Sequence, residues 1–333
     1  MVKKLYSRNE IEEIKKGIEP YKNFYLESNR KPTYILITTI IGYLISIHLC
    51  KISIWYIPFF CGFTSRLFMI FHDCCHNSFF KVTEKEHNRG FRGYNKIVAN
   101  ILEPMVFYNE KDWRIGHGNH HKVHGNKSEV DGTKTVITLK KFKSLPFLKK
   151  YFYRFFRSPI IFFSILPLYI FWFNHILKPI HVVRRIIFFY LIHRYGKKRL
   201  VKSVFIGQII TGIYGVMIFH LQHQVNTGYW KEFETRDKLS YDRAQLHGAS
   251  MLQVPIFLKW ITFGIEYHHI HHLTPRIPSY NLQKCHEDNE HLFNKITKVG
   301  YKQAFKSLFH TLYDENEQRY VSFWIDRCLG LQA

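Results

Sequence analysis

The sequence predicts an all-α integral membrane protein, with about four transmembrane helices carrying a cytosolic helical cap. Three observations predict it. Apolar residues fall in blocks rather than evenly, although the 333 residues are only 46% hydrophobic and 17% aromatic. Basic residues crowd the edges of those blocks, within a formal charge of +23. The polar stretches between the blocks carry clustered histidines, from a total of 21.

The blocks set the candidate spans. A helix of about 20 residues crosses a bilayer, at ~1.5 Å rise per residue. Residues 34–50 and 52–71 fit two spans turning near Lys51, with Arg66 as the single charge in the second. Residues 158–177 form another block, broken at Pro167, and residues 203–221 form a fourth. The chain then divides into a cytosolic or interfacial segment (1–33), a membrane domain (34–290) and a cytosolic C-terminal tail (291–333). Within the first segment, IEEIKKGIEPY reads as a short amphipathic helix.

Loop charges orient the spans. Eight Lys/Arg lie in residues 1–33, against Lys51 alone in the first turn, so the positive-inside rule puts the N-terminus in the cytosol. One conflict follows. If 158–177 and 203–221 both cross, the connector 178–202 lies outside with eight Lys/Arg.

Several classes are excluded. No zinc finger, RNP-type motif or basic heptad helix accompanies the charge, so the basic edges favour anionic lipid over nucleic acid. The six cysteines make no CxxC pair and read as reduced thiols. The N-terminal stretch lacks the early apolar region of a cleaved signal peptide. No GxSxG elbow of a soluble hydrolase is present.

The histidines carry the chemistry. On a helix, positions i, i+3 and i+4 share a face. HDCCH therefore aims His72 and His76 at one point, and HGNHH aims His117, His120 and His121. His220 and His223 close the last span, and EYHHIHHL presents His268, His271 and His272. Neutral imidazole binds iron, copper, nickel and zinc. Nine shared-face imidazoles exceed the needs of one ion, which takes three or four protein ligands in zinc sites. Two metals are expected: His72, His76, His117, His120, His121, His223, His268, His271 and His272 would supply four or five ligands to each. Asp73, Asp112 and Glu266 stand where a carboxylate would orient an imidazole, or lie on a solvated surface. His124 follows a turn, His220 precedes His223 by three, and His269 lies off the common face; all three are expected outside the ligand set. His48, His87, His175, His181, His193, His247, His286, His291 and His310 have no shared-face partner.

HDCCHNSFF, HGNHH and EYHHIHHL resemble the three histidine boxes of the membrane fatty-acid desaturases, HxxxH, HxxHH and HxxHH. His223 in QHQ resembles the additional histidine before the third box. WRIGHGNHH, with Trp113, also matches. HHIHHLTPRIPSYNLQKCHE is similar to acyl-lipid desaturases of the Δ12/ω3/Δ5 bacterial and plastid type, and less like the stearoyl-CoA type. The resemblance spans about residues 34–290. It implies a cap holding a di-iron centre on the nine histidines above, and an oxidoreductase that uses O2 to remove two hydrogens from an acyl chain. It implies a fatty-acyl lipid substrate in a membrane, either endoplasmic reticulum or bacterial plasma membrane. No HPGG motif is present, so electrons are expected from a separate ferredoxin or cytochrome b5. Two features depart from the family: His220 stands where an aromatic is expected, and 158–221 is short for relatives with six crossings. A hydroxylase, ketolase or acetylenase of the same superfamily remains open. So does a histidine-lined metal transporter, although such a protein would carry its ionisable groups inside the spans.

Overall fold

The computed structural model describes residues 4–129, 131, 136–173, 178–225, 229–234 and 236–323. His175, Cys328 and the last four residues of the 158–177 block lie outside them. The lead-in forms helix α1 (Arg8–Ile18), started by a capping box in which the Ser7 side chain accepts from the Glu10 amide and Glu10 returns to the Ser7 amide. Its apolar stripe, Ile11, Ile14 and Ile18, packs against Leu246, Ile270 and Phe293. The lead-in therefore braces the third histidine segment from behind.

Helices α2 (Arg30–Ile52) and α3 (Ile57–Cys75) form a hairpin. Ser53 breaks the run in extended conformation, and Pro58 starts α3 where its missing N–H costs nothing. The two helices approach closely at Gly42, where a Cβ would lie 2.0 Å from the Phe63 ring. At 23 residues, α2 is about 34 Å long, enough for a ~30 Å hydrocarbon core. Its outer face (Ile37, Ile41, Leu44 and Ile45) is exposed and apolar, as a lipid-facing surface requires.

Two further helices, α4 (Gly93–Val106) and α5 (Glu110–Val123), follow α3. Val98, Ala99 and Leu102 of α4 join the main core with Leu67 and Phe71 of α3. Phe107 and Asn109 then turn the chain: Phe107 is left-handed (φ 57°), and the Asn109 side chain caps α5 by accepting from the Asp112 amide.

The next apolar stretch is bent, not straight. Helix α6 (Phe147–Phe156) meets α7 (Pro159–Leu168), with its π-helical extension Tyr169–Phe173, at 75°. The following run, α8 (Pro179–His223), reverses on itself at Lys197 (φ 59°, ψ −165°). Ring contacts require the reversal. Trp172 touches both Phe189 (6.0 Å) and Phe205 (4.9 Å). In a straight helix those two residues would be about 24 Å apart. Lys197 occupies a backbone region that is nearly glycine-only, and Gly196 beside it lets the Leu200 side chain approach within 2.5 Å of where a Cβ would sit.

This corrects two sequence expectations. Residues 178–202 are not a loop between spans. They are one arm of a helical hairpin plus its turn, and the second arm is longer than 203–221. The hairpin also divides the eight basic residues. Lys178 pairs with Asp112, Arg184 pairs with Glu103, and Arg185 donates to the Trp172 and Phe107 carbonyls. Arg194, Lys197, Lys198, Arg199 and Lys202 flank the reversal. That turn lies beside the α2–α3 turn: the Tyr195 hydroxyl and His48 Nδ1 share a hydrogen bond at 2.6 Å, and Lys51 sits over the Tyr195 ring. Both turns are thus at one end of the bundle, and His76 and His223 finish their helices at the other.

Among the described residues, three helices (α2, α3 and α8) are long and apolar enough to cross a membrane; the bent pair would make a fourth. The chain is mostly helical rather than all-α. Strands β1 (Ile137–Thr138), β4 (Leu312–Asp314) and β5 (Arg319–Val321) form one small sheet, and β2 (Ser250–Leu252) pairs in parallel with β3 (Thr297–Val299). These pairings tie residues after 291 back onto the segments around Ile137 and Ser250.

Candidate metal centre

Four segments bring histidines to one place: the end of α3, the middle of α5, the end of α8, and helix α10 (His268–Leu273), which follows α9 (Lys238–Gly248). All nine candidate histidines meet there. They fall into two groups. His72, His76, His117, His121 and His271 form the first, with the His72 and His76 ring centroids 4.7–5.0 Å from each other and from those of their neighbours in the group. His120, His223, His268 and His272 form the second, with centroids at 4.6–5.0 Å. The groups adjoin where His121 stacks on His272 at 4.2 Å.

The nitrogens converge. Nε2 of His117 lies 3.0 Å from that of His72 and 3.2 Å from that of His121, which lies 3.1 Å from His271 Nε2. In the second group, His223 Nε2 lies 3.2 Å from His120 Nε2 and 2.9 Å from His268 Nε2. Two imidazole nitrogens each ~2.1 Å from one ion, at right angles to one another, are about 3.0 Å apart. The spacing therefore fits shared metal ions.

Several Nδ1 atoms are held from behind, which directs Nε2 inward. His72 Nδ1 donates to Asp73 (3.1 Å), His120 Nδ1 to Asp131 (2.9 Å) and His272 Nδ1 to the Gln245 amide oxygen (2.9 Å). Asp73 also accepts from the amide and hydroxyl of Ser279, both at 2.7 Å. Burial, and then the neighbouring imidazoles, push His117, His121, His268, His271 and His272 well below the usual imidazole range. The neutral ring is the metal-binding form.

The other candidates part company here. Asp112 pairs with Lys178 at 2.5 Å. Glu266 is buried, which raises its carboxyl pKa, and its carboxylate makes no hydrogen bond to a histidine among the described residues. Asp131 and Gln245 occupy the orienting positions instead. Neither has a sequence signal, because each reaches its histidine through tertiary packing. His220 donates through Nε2 to the Ser307 carbonyl at 2.7 Å, and His269 packs against His286 and Phe293. His124, expected outside the ligand set, packs against His223 and His272.

A cavity of about 450 Å³ opens against both groups. His72 and His117 reach it from the first group and His268 from the second; Phe68, Met69, Val106, Trp113, Ile170 and Phe171 give it an apolar wall. Trp113 also stacks on His117 at 5.0 Å.

Residues 52–303 match the fatty acid desaturase family. The chain belongs to this family. A fatty acid desaturase of Bacillus subtilis is 31% identical over 278 residues, covering 79% of this chain and 75% of the relative. An sn-1 oleoyl-lipid 12-desaturase of Synechocystis is 26% identical, covering 71% and 70%. A chloroplastic omega-6 fatty acid desaturase of Arabidopsis thaliana is 24% identical, covering 91% and 69%. The desaturase match thus contains every histidine of both groups.

Proposed function

We propose that this chain is an O2-dependent fatty-acyl desaturase that places a C=C bond in a lipid-linked acyl chain. The observation that carries the reading is the cavity: its apolar wall ends on imidazoles of both histidine groups. A lipid-linked substrate is supported by the relatives named as oleoyl-lipid desaturases. Two iron ions on the nine histidines, with dioxygen, two electrons and two protons, would supply the power to remove two hydrogens from adjacent methylenes, leaving an alkene and two waters.

The chain's own residues do the rest. The aromatic and aliphatic wall binds the methylenes and excludes water. Trp113 fixes the His117 ring, and Asp73, Asp131 and Gln245 hold the tautomers that turn Nε2 inward. A ferredoxin or cytochrome b5 would bring the electrons. The basic lead-in supports a cytosolic histidine face, with four crossings made by α2, α3 and the two arms of α8 while α7 re-enters.

The test is expression in a host with a simple fatty-acid pool, with reduced ferredoxin available, and location of double bonds by mass spectrometry. A new double bond at one position is expected. Unchanged lipids with iron-loaded protein would overturn the reading, and a hydroxylated chain would reassign the chain to a hydroxylase.

A further inference from the structure

We propose that His124 is a fifth imidazole ligand of the second metal position. The inference rests on the two-metal reading above and adds a residue outside the HxxHH pattern of its box.

The first histidine group has five rings and the second, from the boxes and His223, has four. His124 fills the difference. It is 2% exposed, and its ring centroid lies 4.5 Å from His223, 4.5 Å from His272 and 5.1 Å from His120. One of its nitrogens lies within 4.8 Å of ligand nitrogens of both His120 and His272.

The backbone is shaped for this placement. Helix α5 ends at Val123, and His124 itself is non-helical (φ −55°, ψ 133°), so its ring leaves the direction that helical spacing gives. Gly125 follows at φ 73°, a region that disfavours side chains, with a Cβ position only 2.7 Å from the Ala244 side chain. Across the ring, a Cβ on Gly248 would fall 2.4 Å from His124 Nε2. Gly248 thus leaves the space that this imidazole occupies, and Gly125 makes the turn beside it. An ion that takes six ligands would then keep one open position at each site, instead of one at the first and two at the second.

The experiment uses the full-length protein loaded with 57Fe, comparing wild type, His124→Gln and Gly248→Ala. The readouts are Mössbauer spectra and the rate at which a chelator removes each iron. Loss of a ligand is expected to change one of two iron signals and speed release of that iron about tenfold or more, within the range seen for disturbed metal shells. Gly248→Ala keeps His124 but displaces its ring, so it should change the same signal. The inference is overturned if His124→Gln leaves both signals and both release rates unchanged. It is also overturned if both irons are lost together from a protein whose helical circular dichroism is intact. If His124→Gln does not fold, Gly248→Ala decides alone by the same criteria. Wild-type protein that never holds two irons would instead sink the two-metal reading itself.

Discussion

His121 and His271 stand 150 residues apart in sequence, yet their Nε2 atoms lie 3.1 Å apart. Helix α5 supplies one and helix α10 the other, so the contact joins the second and third histidine segments directly. A metal ion bound by both nitrogens would account for that separation. Replacing His271 with alanine should abolish double-bond formation and lower the iron bound per chain. Product analysis together with metal content checks this; full activity in His271→Ala would remove it from the ligand set. His76→Ala should behave alike.

Asp73 couples distant parts of the site. It holds His72 Nδ1 and accepts two hydrogen bonds from Ser279, the first residue of helix α11 (Ser279–Asp288). A carboxylate at a helix N-terminus is favoured by the exposed amides there. In Asp73→Asn the side-chain amide would face donors on two sides and lose the charge. Metal affinity should fall about 10- to 100-fold. Chelator competition measures it, and unchanged affinity would show that Ser279 alone positions this end of α3.

The sequence made the histidine-bearing faces legible because helical spacing is a local property. His117, His120 and His121 share a face of α5, and His268, His271 and His272 share one of α10. His124 was hidden because α5 ends one residue before it. Asp131 and Gln245 were hidden for another reason: each meets its histidine only after distant segments pack. Asp112 and Glu266 looked suitable by proximity in sequence, but Lys178 engages the first and, among the described residues, no histidine binds the second. The reversal at Lys197 did have a local sign, the Gly196–Lys197 pair. Charge counting obscured it by treating 178–202 as a single loop. The short strands β1 to β5 carried no alternation long enough to read.

His286 gives the folded state a pH dependence. It lies on α11, stacked on Phe293 at 5.2 Å and against Tyr267 at 4.9 Å. Burial, then Lys298, pushes its pKa down to about 4, against opposing pulls from Glu290 and Glu287 and a further push from Lys259. The folded state thus binds this proton less readily than the unfolded chain, whose value is about 6.5. Its contribution is complete above pH ~6.5 and is lost as pH falls through the window from ~6.5 to about 4. The melting temperature of metal-loaded protein should decline across that window. His286→Gln should show a shallower decline, and identical slopes would assign the dependence to other groups.

Gly215 and Gly212 both line the cavity from α8, but they differ in what surrounds them. A Cβ on Gly212 would meet Phe171 at 3.1 Å, whereas one on Gly215 would meet nothing within 4 Å. Side chains added at 215 should therefore enter the space where the acyl chain is proposed to lie. Gly215→Ala should stabilise the helix by up to about 1 kcal/mol. Gly215→Leu should leave melting near wild type while shifting products toward shorter chains or a displaced double bond. Gly212→Leu should instead lower the melting temperature, because Phe171 must move. Lipid profiling and thermal unfolding of the two variants separate these effects. A Gly215→Leu protein with a wild-type product profile would mean that the acyl chain takes another path to the histidines.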